Sequence, residues 1–400
     1  MTLSKTLVWL AVFSMLACTP STEETQTGEK NIDLNKILLD ASLKAKMTAN
    51  ALSKVDSFPR NIANGQSNWT LVNVKDWCSG FWPGVLWYSY EATGDEELLE
   101  DAVRFTLPLK EIAYTPAENH DIGFMVNSSY GNAYRLTGNE EYKEVLIAAA
   151  NNLATLYDPK VGTILSWPNQ VEKFKYNTII DNMMNLELLF WASKNGGEQN
   201  LYNIAKSHAE KTMNHLVRAD SSIYHVGSFN QETGEFLRGY THQGYATESM
   251  WARGQSWGIY GFSVAFRETA DEEFLNTAIK LADHYIKRLP ENGIPFWDFD
   301  DPAIPNAPRD ASAAAVAACG LLELSGLVKD PALKEKYYKA AESYIVELSS
   351  GGYLSAETNQ AILLHSTGHY PHNSEIDVPI IYADYYYLEA LLRLKKLQNM

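Results

Sequence analysis

The chain has 400 residues, 46% hydrophobic and 20% charged, enough apolar material to bury a large globular core. Its net charge of −16 and the absence of any Lys/Arg block argue against nucleic acid and anionic membrane as partners. A few local cations would still suffice to hold an acidic sugar.

The first element is a targeting segment. Lys5 precedes the apolar run Leu7 to Phe13, and Met15-Leu16-Ala17-Cys18 follows. Residues 1–18 therefore read as a signal peptide, too short to span a membrane as a stable helix. Cys18 after Leu-Ala resembles a lipoprotein box, in which this cysteine carries the lipid; an ordinary secretory signal is the plainer alternative. The expectation is export and lipid anchoring to a bacterial membrane, in the periplasm or on the cell surface. Residues 19–32 are polar, hold no core former and read as a disordered tether. Signal removal takes away Lys5 and no acid, so the mature chain is more acidic still. Only Cys78 and Cys319 then remain, too few for a disulfide framework, and the sequence does not say whether they pair.

Residues 33–400 read as one domain organised by a repeated phrase. Thr93-Gly94-Asp95-Glu96-Glu97, Thr137-Gly138-Asn139-Glu140-Glu141 and Thr269-Ala270-Asp271-Glu272-Glu273 are near copies, with Gly196-Gly197-Glu198 and Val328-Lys329-Asp330-Pro331 in equivalent places. Each reads as a helix C-cap, then an N-cap Asp or Asn with acids in the first turn. An amphipathic helix follows each phrase; Ala278, Leu281, Ala282, Tyr285, Ile286 and Leu289 share one face at a period of 3.6. A different helix precedes each phrase: Gly80–Ala92, Ile122–Leu136, Ile180–Ser193, Gly254–Glu268 and Ala311–Leu324, apolar on most sides and rich in small residues. With an opening helix near Leu34–Leu52 and a closing one near Ala383–Leu397, about twelve helices alternate half-exposed and buried. The fold class predicted is all-α, an (α/α)6 barrel of six inner and six outer helices. An open solenoid is disfavoured because no capping repeat is visible. The aromatic, glycine-containing stretches 157–178 and 218–252 read as functional loops, and no strand-rich block is expected.

In such a ring the inner helices run one way, so their N-terminal ends share a rim. Asp76-Trp77, His120-Asp121, Asp181-Asn182, Arg253-Gln255-Trp257 and Arg309-Asp310 converge there, and the loops carrying Trp167, His225, His242 and Gln243 open to the same side. Trp77, Trp82, Trp167, Trp251 and Trp257 suit the C–H faces of sugars, although large proteins also bury tryptophan in the core. Asp121 and Asp181 are the candidate carboxylate pair, one to deliver a proton and one to support charge or activate water. Either could instead be a plain N-cap, but each sits in apolar sequence, where desolvation raises a carboxyl pKa against the opposing pull of the helix dipole.

His365, His369 and His372 have metal-like spacing, but Gly368 and Pro371 argue against the rigid helix that a catalytic metal needs. That segment reads as a substrate-contacting loop. There is no phosphate-cradling loop, dinucleotide fingerprint or nucleophile elbow.

At Trp77-Cys-Ser-Gly-Phe-Trp-Pro-Gly84, His120-Asp-Ile-Gly-Phe124, Ile180-Asp-Asn-Met-Met-Asn185, Thr241-His-Gln-Gly-Tyr245, Trp251-Ala-Arg-Gly-Gln-Ser-Trp257, Pro308-Arg-Asp-Ala-Ser312 and Ile381-Tyr-Ala-Asp-Tyr-Tyr386 the chain resembles the unsaturated glucuronyl hydrolases, glycoside hydrolase family 88. The resemblance implies an (α/α)6 barrel and an unusual reaction. The C4=C5 double bond of a terminal unsaturated uronic acid, left by polysaccharide lyases, is hydrated, and the resulting hemiketal opens to release the rest of the saccharide. Asp181 matches the acid/base that protonates C4 and helps water add at C5, and Asp121 the second essential carboxylate. Trp77, His120, Trp167, His225, Gln243, Arg253 and Trp257 match sugar-site positions, and neither metal nor cofactor is implied. Cys78 stands where a small hydroxyl or amide residue is expected, and the loop 365–372 lacks the Ser-x-x-Ser-x-Lys pattern tied to sulfate contacts in some relatives.

Three other readings compete. An unsaturated rhamnogalacturonyl hydrolase would use the same barrel. A non-catalytic, sugar-binding surface lipoprotein would share the anchor and the tryptophans but would not need the two aspartates in apolar settings. A twelve-helix sugar epimerase is the third.

Overall fold

The computed structural model describes residues 32–399 and the first two residues. The rest of the expected signal segment, the tether up to residue 31 and Cys18 lie outside the described residues. Residues 32–400 make one compact unit.

Twelve helical segments alternate along it. The outer ones, Leu34–Ala51, Glu96–Thr106, Glu140–Ala154, Gln199–Leu216, Glu272–Arg288 and Pro331–Leu348, bury a single face. In Glu272–Arg288 that face is Phe274, Ala278, Leu281, Ala282 and Tyr285, the stripe set by a period of 3.6. The repeated phrase caps these helices as expected. Asp95, Asn139, Asp271 and Asp330 each accept from the backbone N–H two residues on, at 2.9, 3.0, 3.2 and 2.8 Å.

The inner segments are Phe81–Thr93, 122–137, Asn182–Lys194, Ala252–Thr269, Ala311–Leu327 and Ile381–Gln398. Ala311–Leu327 is buried on nearly every side, from Ala311 through Leu322. Each inner segment packs on the next, and the last packs on Phe81–Thr93, so the ring closes. Small residues permit the tight approach: a Cβ at Gly80 would run into the backbone of Met125, and one at Gly261 into Met183.

Two features differ from the sequence reading. The inner helix 122–137 is interrupted by a π turn at Asn127–Gly131, which the smooth apolar pattern from Ile122 to Leu136 hides. The loops 157–178 and 218–252 also carry strands. Tyr176–Ile179, Val226–Phe229 and Phe236–Tyr240 form an antiparallel three-stranded sheet, too short per strand to show as alternation. Cys78 and Cys319 are both buried and unpaired. Among the described residues no helix is long and apolar enough to cross a membrane.

Candidate active site

Residues at the starts of the inner helices meet the loops around one cleft of about 380 Å³, lined by Trp77, His120, Asp121, Trp167, Asp181, Gln243 and Arg253 among others. That volume suits a small saccharide.

Asp121 and Asp181 stand at the N-caps of Ile122–Val126 and Asn182–Lys194, yet neither caps its helix with its side chain. Their side chains keep 13% and 12% of their surface and line the cleft. Burial raises Asp121 from 3.8 to about 7, with Asp76 adding to the effect. It raises Asp181 to about 6; His120 and Arg253 pull that value down and Asp121 pushes it up. Desolvation is the largest cause at both positions, and both groups hold protons above the normal carboxylate range.

Each carboxyl is faced by one imidazole whose tautomer the fold fixes. The Asn185 carbonyl oxygen accepts from Phe124 N–H at 2.7 Å, which orients the amide so that its NH2 donates to His120 Nδ1 at 3.2 Å. The proton of neutral His120 must then sit on Nε2, 3.5 Å from Asp121 Oδ1. His225 Nδ1 accepts from the backbone N–H of His242 and Gln243 at 3.1 and 3.0 Å. Its proton is likewise on Nε2, 3.6 Å from Asp181 Oδ2. Burial keeps both rings neutral, pushing His120 down to about 4 and His225 well below its ordinary value. His120 Nε2, His225 Nε2 and Asp181 Oδ2 are buried and have no hydrogen-bond partner, as expected of groups waiting for a ligand.

The sheet brings His225 there. Ile180 N–H donates to His225 carbonyl oxygen at 3.0 Å, continuing the pairing of Tyr176–Ile179 with Val226–Phe229 to the residue beside Asp181. Trp167 stands edge-on to His225 and His242 at 5.7 and 5.2 Å. Gln243 donates to Gly368 carbonyl oxygen at 3.3 Å. Arg253 is fully enclosed and donates to Asp310 at 2.7 Å and to the carbonyls of Thr367 and Gly368 at 2.6 Å each. It thus anchors the loop 365–372 while giving the cleft positive charge.

Not every expected residue faces the cleft. Trp257 does not line the cleft: it is fully buried one turn into its helix, packed on Phe124 at 5.3 Å and Tyr386 at 5.4 Å. His225 is buried and does not line the cleft, but its Nε2 stands 3.6 Å from Asp181 Oδ2. Trp82 packs against Phe105 in the core, and Trp251 against His225 at 4.6 Å. Only Trp77 and Trp167, of the five rim tryptophans, line the cleft.

Other lining groups escaped the sequence reading. Arg60, from the strand Phe58–Asn61, pairs with Asp76 at 2.6 Å and Glu375 at 2.7 Å. Tyr382 lines the cleft between Trp77, at 5.1 Å, and Arg253, whose guanidinium lies 5.3 Å from the ring. Tyr382 lay within a matching stretch; Arg60 and Glu375 gave no signal. His369 and His372 reach the cleft, as expected of a contact loop, whereas His365 turns away to Asp377 at 2.6 Å.

With this geometry established, known proteins give it context. The model of Glycosyl Hydrolase Family 88 matches residues 50–389. A protein of Formosa agariphila named unsaturated glucuronyl hydrolase is 38% identical over 399 residues, covering 98% of this chain and 97% of that one. One of the same name from Bacillus sp. strain GL1 is 37% identical over 358 residues, covering 88% and 94%. Among solved structures, an unsaturated glucuronyl hydrolase specific for heparin is 42% identical with a TM-score of 0.87, covering 92% of this chain and 98% of that one.

Proposed function

The chain belongs to glycosyl hydrolase family 88, and from that premise we propose both its reaction and the residues that perform it. It is a hydrolase that removes a terminal 4,5-unsaturated uronic acid from oligosaccharides. Asp181 in its protonated form delivers a proton to C4, and positive charge develops at C5 and the ring oxygen, where Asp121 in its ionised form supports it; with Asp121 near 7 and Asp181 near 6, this is the less populated of the two singly protonated forms. Water adds at C5 and returns a proton to Asp181, so the π bond is replaced by one C–H and one C–O bond. The hemiketal then opens between C5 and the ring oxygen, and C1, now a hemiacetal carbon, expels the rest of the saccharide. The two Nε2–H groups stand ready to donate to each carboxyl as it ionises.

The observation that supports this most is the matched arrangement: two desolvated carboxyls at inner-helix starts, each facing a neutral imidazole of fixed tautomer, in one cleft. A module that only bound sugar would gain nothing from keeping these carboxyls buried without partners, at a cost to stability. The test uses lyase-generated unsaturated disaccharides, whose conjugated enol ether absorbs in the near ultraviolet. Turnover should erase that absorbance. Tight binding with the absorbance intact would replace this reading with a sugar-binding one. A panel differing in linkage and sulfation would then identify the parent polysaccharide.

Export and lipid attachment at Cys18 are part of the same proposal, supported by the apolar run and the Leu-Ala-Cys sequence. Palmitate labelling should appear in the native protein and vanish in Cys18→Ser.

A further inference from the structure

Three imidazoles from two loops meet at the edge of the cleft. His242 follows the strand Phe236–Tyr240, and His369 precedes and His372 ends the short turn Tyr370–His372. Each ring offers a nitrogen, and these atoms all lie within 4.8 Å of one another. His242 Nε2 and His369 Nε2 are 3.3 Å apart. Two nitrogen ligands about 2.0–2.1 Å from a tetrahedral zinc ion stand at about that separation. His242 is edge-on to both other rings at 86°, and His369 and His372 stack at 3.9 Å. His369 Nδ1 is buried with no partner.

The rigidity that the bare spacing of 365–372 lacks is supplied by the rest of the barrel. Arg253 clamps the carbonyls of Thr367 and Gly368, and Gly368 N–H donates to Glu375 carbonyl oxygen at 2.7 Å. His369 and Ser374 exchange backbone hydrogen bonds at 3.0 and 3.1 Å, closing the turn. His242 is held through its own N–H, which donates to His225. His369 and His372 cannot both aim an in-plane lone pair at one ion while stacked at 8°, so the exposed His372 ring has to turn out of that stack to join the site.

The geometry points to a binding site for a divalent transition-metal ion of the zinc class, held by His242, His369 and His372, with a remaining coordination position open to the cleft. Three imidazoles with no carboxylate among them favour zinc, copper or nickel over calcium or magnesium. An ion there adds positive charge beside Arg253, and an anionic oxygen of a bound saccharide can complete its coordination. The site stands independently of the catalytic reading, because metal binding can be measured with no sugar present.

The test is calorimetric titration of the untagged full chain with Zn2+. One equivalent should bind, and His369→Ala and His372→Ala should each weaken binding by about tenfold or more, with His365→Ala unchanged. Co2+ should give the visible absorption of a four-coordinate site, lost in His372→Ala. Absence of Zn2+ binding, or equal affinity in His372→Ala, overturns the site. Because His372 is exposed, that variant decides the matter even if His369→Ala does not fold.

Discussion

The two ends of the barrel bury charge in opposite ways. Away from the mouth, a second cavity of about 410 Å³ is lined by Glu187, Tyr260, Glu389 and Arg393 among others, and carboxylates there meet arginines. Glu323 accepts from Arg393 at 2.6 Å and Arg267 at 2.9 Å, and Glu389 accepts from Arg393 at 2.8 Å and from Tyr260. Burial pushes Glu323 upward, but the two guanidiniums outweigh it and its pKa ends below the usual value. At the mouth, Asp121 and Asp181 face neutral imidazoles, and burial carries both upward. The partner, rather than burial, decides whether a buried acid serves the scaffold or chemistry. Asp384 sharpens the point. Burial lifts it to about 7 as well, yet its oxygens accept from Ile362 and Leu363 N–H at 2.9 and 2.8 Å, which commits them to holding a loop.

The contrast breaks most directly at Asp181. Asp181→Asn keeps the shape of the cleft but cannot deliver a proton, so kcat should fall on the order of a thousandfold or more while binding of unsaturated disaccharide persists. Unchanged turnover would leave the mouth no different in kind from the far end. Arg393→Met should do the reverse. It strands Glu389 and weakens the hold on Glu323, costing about 3 kcal/mol in denaturant unfolding, while kcat of the folded enzyme stays the same. Loss of turnover in that variant would mean that the two ends are coupled.

Asn185→Ala probes the fixed tautomer. Without the amide, His120 Nδ1 loses its donor and the ring is free to carry its proton on either nitrogen, so kcat should drop about tenfold to a hundredfold with little change in KM. A change confined to KM would mark Asn185 as a packing residue only.

Asp121→Asn tests the cost of the unpaired acid. Unfolded, this group titrates near 3.8, and folded near 7, so between those values the native state binds the extra proton. Native stability from this group is therefore present at low pH and is lost as pH rises from about 4 to about 7. At pH 8 the Asn variant should be about 1–2 kcal/mol more stable than the native chain, with the gain shrinking toward pH 5. Melting curves across that range check it; a variant no more stable at pH 8 would show that Asp121 carries no burial penalty.

How much of this was legible in the sequence depends on range. The caps at Asp95, Asn139, Asp271 and Asp330 are local, and they marked the outer helix starts to within a residue or two. The shared direction of the inner helices then placed Asp121 and Asp181 on one mouth. What stayed hidden required tertiary closure. Trp257 carries the same signal as Trp77, aromatic near an inner-helix start, and only the turn of the helix decides that one is fully buried and the other lines the cleft. Arg60 and Glu375 come from short segments without a pattern, and His242 joins His369 across 127 positions. The segment 365–372 read as a contact loop despite its metal-like spacing; the structure groups its His369 and His372 with the distant His242 and turns His365 to Asp377.

The smallest expected effect separates stability from chemistry. Gly94 and Gly138 end inner helices with φ of 68° and 66°, and the third copy of the phrase places Ala270 in the same left-handed conformation at φ 57°. An alanine there carries strain that glycine does not, partly offset by the greater freedom of glycine in the unfolded chain. Ala270→Gly should therefore stabilise the fold by about 1 kcal/mol, read as a higher Tm, with kcat and its pH profile unchanged. Asp121→Asn should also raise Tm at pH 8, but only by giving up turnover. A stabilising change at the far end leaves the reaction intact, whereas one at the mouth removes it, because there the instability at pH 8 comes from the desolvated Asp121 carboxylate itself. If Ala270→Gly altered the pH profile as well, the mouth and the far end would not be the separable regions that their charge pairing indicates.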